Sequence, residues 1–293
     1  MSGGGDTLMS TPPSLAPSSA ASPRTHVAGI PANPTAWAPT VPWNGGLQVE
    51  AVDLLRAEAG VVVCPTKVGY VIMATDRPGL VRKFAAKNRP RSKPGVVLCG
   101  SVEQLLELAE IHEEALDLYR VHDREDVLLG CILPWREEGR ALLPEGAAPY
   151  VMDERGTSCF VLRFGAPGEA IARELWEEDR TLLFASSANP SGQGNRGVVE
   201  GIGDRIARGV DLVIESDEFV ASIQPDADES SRHEQGVMVS FVDAQGSLVP
   251  EQHGVRGISP APALIRAGLG VDRIMHHLSE RFPSWDHRHG QYH

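Results

Sequence analysis

A chain of 293 residues with a formal net charge of −12 and 42% hydrophobic residues can bury a full core, as one large domain with extensions or as two small ones. Its acidic balance argues against a general affinity for nucleic acid or anionic membranes, although a local basic groove can bind either. No apolar run approaches a membrane span, the first residues lack signal-peptide features, and Cys64, Cys99, Cys131 and Cys159 lie in apolar runs without metal or disulfide spacing. A cytoplasmic protein with buried thiols and no membrane partner is expected.

Residues 1–46 are rich in Pro, Ser, Ala, Gly and Thr, almost uncharged, and lack an apolar period. Such a segment cannot bury enough surface to offset its ordering entropy, and reads as a disordered leader. From residue 47 onward, helices and strands alternate. "LQVEAVDLLRAEAG" predicts a helix closed by Gly60, "VVVCPT" a buried strand stopped by Pro65, and "YVIMAT" a second strand. Asp76 is placed to cap a helix over "DRPGLVRKFAAK", with Pro78 in its first turn, and "GVVLCG" is a third strand.

Ser101 and Gln104 predict a capping box that opens an amphipathic helix over 102–120. "TSCFVLRF" reads as a strand, "EAIARELWEE" as a helix, and "RTLLFASSAN" as a strand emptying into a polar turn. "VVEGIGDRIARG" follows as a helix, then "VDLVIES" and "GVMVSFVD" as strands. The pattern predicts an α/β fold with a twisted mixed sheet and flanking helices. The acidic stretch "ESDEFVASIQPDADESSRHEQG" reads as an exposed loop, with a lid over a cationic site as the alternative. Residues 258–293 read as a helical extension, with the helix over "PALIRAGLGVDRIMHHLSERF". His276, His277, His287, His289 and His293 read as a surface tail, because no acidic or Cys ligands accompany them at fixed spacing.

One run departs from the acidic background. "RKFAAKNRPRSKPG", residues 82–95, carries six Lys/Arg side chains and no acid. With no carboxylate nearby in sequence, it is expected to be a solvated face or an anion site, not an internal ion-pair network.

Three stretches carry candidate chemistry. In "CPTKVGY" a buried strand breaks at Pro65 and presents Thr66 and Tyr70. In "KNRPRSKPG" a helix runs out into Lys87, Arg89, Arg91 and Lys93, and in "FASSANPSGQGNRG" an apolar strand empties into Ser186, Ser187, Asn189 and Ser191. Small polar residues after a buried strand suit ligand binding at strand ends; hydroxyls and backbone N–H groups suit a phosphate, with Lys and Arg supplying charge.

Together these stretches resemble the Sua5/YrdC/YciO family, whose members make threonylcarbamoyl-adenylate for tRNA modification. That family shows Pro-Thr-(Asp/Glu)-x-x-Tyr-Gly, then Lys-x-Arg-Pro-x-x-Lys-Pro, then Ser-x-Asn-x-Ser-Gly. Here they stand as Pro65-Thr66-Lys67-Val68-Gly69-Tyr70, Lys87-Asn88-Arg89-Pro90-Arg91-Ser92-Lys93-Pro94 and Ser187-Ala188-Asn189-Pro190-Ser191-Gly192. The resemblance covers about residues 48–257 and implies a YrdC-like domain over 47–257 with a concave basic groove.

It further implies that Lys87 and Arg89 hold the ATP phosphates and the substrate carboxylate, while Thr66 and Tyr70 line an amino-acid pocket. Ser187 and Asn189 would contact the nucleotide phosphates, with Lys93, Ser186 and Ser191 beside them. Arg163 in "FVLRF" and Arg256 in "GVRGI" match two further family arginines.

The implied reaction joins L-threonine, bicarbonate and ATP, with Mg2+ as counter-ion, into threonylcarbamoyl-AMP and pyrophosphate. A paralogous carbamoyl-adenylate is the variant reading, and a non-catalytic double-stranded RNA-binding module the alternative. The chain also departs from the family. Lys67 stands for an acid and so reverses the charge beside the pocket, and Val71 stands for the Gly after Tyr70. "CILPWREEGR" has the wrong order for Trp-Pro-Gly-Pro-x-Thr, and "QGVMVSFVD" lacks the paired hydroxyls of Ser-Thr-Val-Val-Asp, which weakens phosphate contacts. The functional reading requires the three stretches to meet around one hollow.

Overall fold

The computed structural model describes residues 1, 36–190 and 193–288. Most of the expected leader, together with Ser191, His289 and His293, lies outside the described residues. The elements begin with β1 (Thr40–Pro42), α1 (Val49–Arg56), β2 (Val62–Thr66), β3 (Gly69–Ala74), α2 (Arg77–Lys87) and β4 (Val96–Leu98). Next come α3 (Val102–Leu108), α4 (Glu113–Arg124), β5 (Leu129–Pro134), α5 (Glu137–Ala141), α6 (Ala148–Val151), β6 (Thr157–Leu162) and α7 (Ala166–Asp179). The chain continues through β7 (Leu183–Ser187), a 3-10 turn at Val199–Ile202, α8 (Asp204–Gly209), β8 (Leu212–Glu215) and α9 (Asp217–Ile223). It closes with β9 (Val237–Ser240), β10 (Ala263–Arg266), α10 (Val271–Arg281) and β11 (Asp286–His287).

All the strands join one mixed sheet in the order β1-β8-β2-β3-β7-β4-β6-β5-β9-β10-β11. β2 lies inside the sheet between β8 and β3, and every one of its residues is buried, as expected of a strand covered on both faces. Its side chains alternate: Val62 and Cys64 pack with Leu55 of α1 and Leu175 of α7, whereas Val61 and Val63 pack with Ile202, Ile206 and Val213. A further core joins Leu80 and Phe84 of α2, Leu105 of α3 and Tyr119 of α4 to Phe160 and Phe184 of the sheet, and to Ile274 and Leu278 of α10. All four cysteines are buried and unpaired, and burial pushes each thiol well above its ordinary value.

Asp76 caps α2 as its sequence indicates, accepting from Gly79 N at 2.7 Å. Three local expectations need correction. The helix expected over 102–120 is two helices, because Glu110 N donates to Pro134 O at 3.0 Å and draws the chain out toward β5. Ser101 Oγ does accept from Gln104 N, but Gln104 Oε1 accepts from Gly100 N, one residue before the capping-box partner. "VVEGIGDRIARG" is broken by Gly203, whose φ of 76° ends the 3-10 turn before α8 begins.

The boundaries at 46 and 257 also move. β1 pairs in parallel with β8, so residues from Thr40 belong to the sheet. "PALIR" is not helical: Ala263, Leu264 and Ile265 are buried in β10, antiparallel to β9. A short apolar run has no period that separates strand from buried helix. The acidic stretch holds α9, capped by Ser216 Oγ accepting from Phe219 N at 3.3 Å. Among the described residues, no helix is long and apolar enough to cross a membrane.

Candidate functional site

One face of the sheet is left open and floors a cavity of about 690 Å³. Alternate residues supply that floor: Val96 and Leu98 of β4, Cys159 and Val161 of β6, Gly130 and Ile132 of β5, as the two-residue period of a strand requires. Around it stand the β2–β3 turn, the segment after α2, the end of β7, and residues 232–238. Thr66, Tyr70, Lys87, Arg89, Lys93, Ser186, Ser187 and Asn189 all line it. Three stretches far apart in sequence therefore meet at one hollow.

The basic run divides by function. Arg82 is an internal ion-pair partner after all: its Nη1 and Nη2 donate to the two carboxylate oxygens of Asp211, each at 2.8 Å. The carboxylate came from 129 residues away, which sequence proximity could not reveal. Arg91 lies over the Tyr150 ring, 5.0 Å from its centroid. α2 ends at Asn88 in a left-handed turn (φ 51°), which brings Lys87 and Arg89 round to the cavity. Arg89 braces the following loop, donating to Lys93 O at 2.7 Å and Pro94 O at 3.1 Å.

Lys87 is buried, and its amine donates to the carbonyl oxygen of Ser187 and, at 3.1 Å, to Ser187 Oγ. Burial, followed by the nearby Arg89 charge, pushes its pKa down to about 7. Lys83 lies deeper, fully buried, and its Nζ has no hydrogen-bond partner among the described residues. Burial, then the charges of Arg89 and Lys87, holds its pKa well below the usual lysine range. Gly95, a lining residue, leaves it room: a Cβ there would come within 2.9 Å of Lys83 Nζ.

An unsatisfied buried donor costs about 1–3 kcal/mol. Lys83→Met is therefore expected to stabilise the ligand-free protein by roughly that amount, read from urea unfolding. A loss of stability would show that the amine has a partner in solution.

In the β2–β3 turn, Thr66 Oγ1 donates to Gly69 O at 2.6 Å. Gly69 is required twice over, by its φ of 102° and because a Cβ would strike the Asn195 side chain. Tyr70 borders the cavity, but its ring is buried with Val61, Val63 and Ile72, on the other face of β3 from Val71, and its hydroxyl donates to Asp217 Oδ1 at 2.5 Å and accepts from Ser216 N at 3.0 Å. Lys67 does not line the cavity. It turns to Asp126, with Nζ 2.6 Å from Oδ1, so the reversed charge falls outside the lining. At the end of β7, Ser186 Oγ is buried with no hydrogen-bond partner among the described residues, and Ser187 is exposed. Asn189 donates to Pro190 O at 2.9 Å.

Two expected residues are not brought to the site. Arg163 sits in a left-handed turn (φ 55°) and pairs with Asp123 at 2.8 Å and Glu169 at 3.6 Å. Arg256 is exposed on the 253–257 turn, away from the lining. Sequence reasoning missed Arg232, Glu234 and Arg266, which do line the cavity. Arg266 arrives on β10 and donates to Gly236 O at 2.9 Å; Glu234 accepts from Arg196 N. The available signal was Arg232, a lone cation within an acidic run, which would mark that run as a wall of the site.

A twisted mixed sheet with flanking helices and a ligand-sized hollow on its open face defines a YrdC-like α/β protein. The same architecture is found in E. coli YciO, 17% identical, with a TM-score of 0.50 over 75% of this chain and 88% of that one. The Sua5/YciO/YrdC family model, described as "Telomere recombination", matches residues 54–227, and the chain belongs to that family.

The hypothetical protein smu.1377c from Streptococcus mutans UA159 is 52% identical, with a TM-score of 0.84 over 88% of this chain and all of its own. P. abyssi Sua5 in complex with L-threonine is 24% identical, with a TM-score of 0.54 over 79% of this chain and 57% of that one. No curated protein matches the chain.

Proposed function

We propose that this chain catalyses ATP-dependent adenylyl transfer to an N-carboxylated amino acid. L-Threonine, bicarbonate and ATP would give threonylcarbamoyl-AMP, pyrophosphate and water; a paralogous carbamoyl-adenylate from another amine is the variant. The observation that carries this reading is the convergence of Thr66, Tyr70, Lys87, Arg89, Ser186, Ser187 and Asn189 on one cavity of about 690 Å³. That volume lies within the range of small-molecule sites. Membership of the family and the L-threonine bound in P. abyssi Sua5 support the amino-acid half of the reading.

In the reaction, the amine nitrogen bonds to the carbon of CO2 drawn from bicarbonate and releases a proton. An oxygen of the resulting N-carboxylate then bonds to the α-phosphorus as the bond to the pyrophosphate oxygen breaks. Attacking and leaving groups are both anionic, so the protein's task is alignment and charge compensation. Lys87 and Arg89 supply positive charge, and the exposed Ser187 hydroxyl, opposite Val71 on the cavity side of the sheet, offers a donor to a phosphate oxygen. Tyr70 acts by position: its buried ring and its hydroxyl, held by Asp217, fix the β2–β3 turn that walls the amino-acid end of the pocket.

Magnesium would arrive on the triphosphate. Of the lining carboxylates, Asp153 is already occupied by Arg155 and Thr157, and Glu234 accepts from a backbone N–H. These residues fit an ion carried by the nucleotide better than an ion held in a protein cage.

The RNA-binding alternative draws on a lining that, among the described residues, sets Lys87, Arg89, Lys93, Arg232 and Arg266 against Asp153 and Glu234. Pyrophosphate release with ATP and bicarbonate, scanned across amino acids, separates the two. Release dependent on one amine supports the enzyme. No release with any amine, combined with salt-sensitive RNA binding that survives Ser187→Ala and Asn189→Ala but fails in Lys87→Glu with Arg89→Glu, moves the assignment to the module.

A further inference from the structure

We propose that α10 carries a binding site for a zinc-class divalent ion, with His276, His277 and Glu280 as ligands and Glu125 behind them. The sequence reading found no acid at fixed spacing from these histidines; the helix supplies one. Glu280 is four residues from His276 and three from His277, so a single carboxylate faces both rings. One ligand atom from each of the three residues lies within 4.8 Å of the other two. His276 Nε2 is 3.4 Å from Glu280 Oε1, and His277 Nδ1 is 3.7 Å from Glu280 Oε2. Ligands about 2.0–2.2 Å from a tetrahedral zinc ion stand roughly 3.3–3.5 Å apart. The two imidazole nitrogens face different oxygens of that carboxylate, so Glu280 stands between the rings as a two-oxygen clamp.

The second nitrogen of His277 points the same way. Its Nε2 lies 3.3 Å from Glu125 Oε2, at the C-terminal end of α4. With Nε2–H donating to Glu125, the Nδ1 lone pair would be free for an ion held beside Glu280, the carboxylate–histidine arrangement that orients metal ligands. Arg273, at 3.8 Å, steadies Glu125.

Beneath the cluster, buried His122 donates from Nδ1 to Leu118 O at 2.6 Å, and its Nε2 has no partner among the described residues. Its ring meets that of His277 edge-on, 5.2 Å between centroids. Helical His–Glu ion pairs alone would account for the Glu280 distances, but not for a buried imidazole, its Nε2 without a partner among the described residues, packed edge-on against His277. Mixed imidazole and carboxylate donors suit a zinc-class ion better than magnesium or calcium. None of these residues lines the cavity, so the site stands independently of the proposed reaction. Since Glu125 closes α4 and the ligands sit on α10, an occupied site fastens one helix to the other.

The test uses the full chain, freed of metal with a chelator, and zinc alone as the probe. Calorimetry is expected to show one zinc per chain and thermal unfolding a rise in Tm. Affinity should fall at least about tenfold in His276→Ala and in Glu280→Gln, and about tenfold in Glu125→Gln. The combined tail variant His287→Ala, His289→Ala, His293→Ala should bind as the parent does. Three results would overturn the proposal: no binding by the parent chain, affinity unchanged in both His276→Ala and Glu280→Gln, or binding lost only in the tail variant.

Discussion

Lys87→Met is expected to cut pyrophosphate release about 10²–10³-fold, the usual cost of removing one preorganised donor from a developing oxyanion. The loss should fall on kcat, because charge gathers on the phosphoryl oxygens as the bond to pyrophosphate breaks, and KM for ATP should rise as well, because the same charge holds the bound triphosphate. The same residue makes a pH prediction. Its pKa is lowered from 10.5 to about 7, by burial first and by Arg89 second. A bound triphosphate favours the charged amine, so binding above pH 7 must draw in a proton.

ATP affinity is therefore expected to be level below about pH 7 and to fall by up to about tenfold per unit above it. In Lys87→Met the profile should be flat. Calorimetry in buffers of different ionisation enthalpy reads the proton uptake directly. A wild-type profile identical to that of the variant would remove Lys87 from the anion site.

The stability of the free protein moves the opposite way. Below pH 7 the amine is charged in both the folded and unfolded states, and its burial cost is present in full. Between about pH 7 and 10.5 the unfolded chain binds more protons, so this cost is relieved as pH rises. Affinity for the anion and stability without it thus trend apart over one pH window.

Features set by local chemistry were legible in the sequence. β2 announced itself as an unbroken apolar run, α2 by its Asp76 cap, and the site by a strand emptying into Ser186, Ser187 and Asn189. Contacts made by distant chain segments were not. Nothing local says that Glu110 will be drawn to Pro134, or that "PALIR" will be held as a strand by β9. Arg163 has the residue type a phosphate site wants, yet its left-handed backbone and Asp123 direct it elsewhere. Lys67 looked like a reversed charge beside the pocket because a turn's facing cannot be counted from spacing; Asp126, 59 residues on, holds its amine. Arg266 entered the site only through the register of β10.

Asp211→Ala is expected to cost about 3–5 kcal/mol of stability, the range for breaking a largely buried ion pair from one side. Its carboxylate accepts from both terminal nitrogens of Arg82 and, at 2.8 Å, from Val61 N, immediately before β2. The Arg82 and Asp211 side chains are only 27% and 13% exposed, so solvent screens the pair far less than a surface bridge. Removing the carboxylate strands a guanidinium and a backbone donor together.

Asp211→Asn, which keeps an acceptor for Val61 N but loses the charge, should fall between the parent and Asp211→Ala. Urea unfolding reads the loss, and a change under about 1 kcal/mol would place the pair with ordinary surface bridges. Neither Asp211 nor Arg82 lines the cavity, so kcat measured where the variant remains folded should hold. The basic run would then separate by experiment as it does in space: Asp211→Ala removes stability and spares turnover, whereas Lys87→Met removes turnover and spares stability.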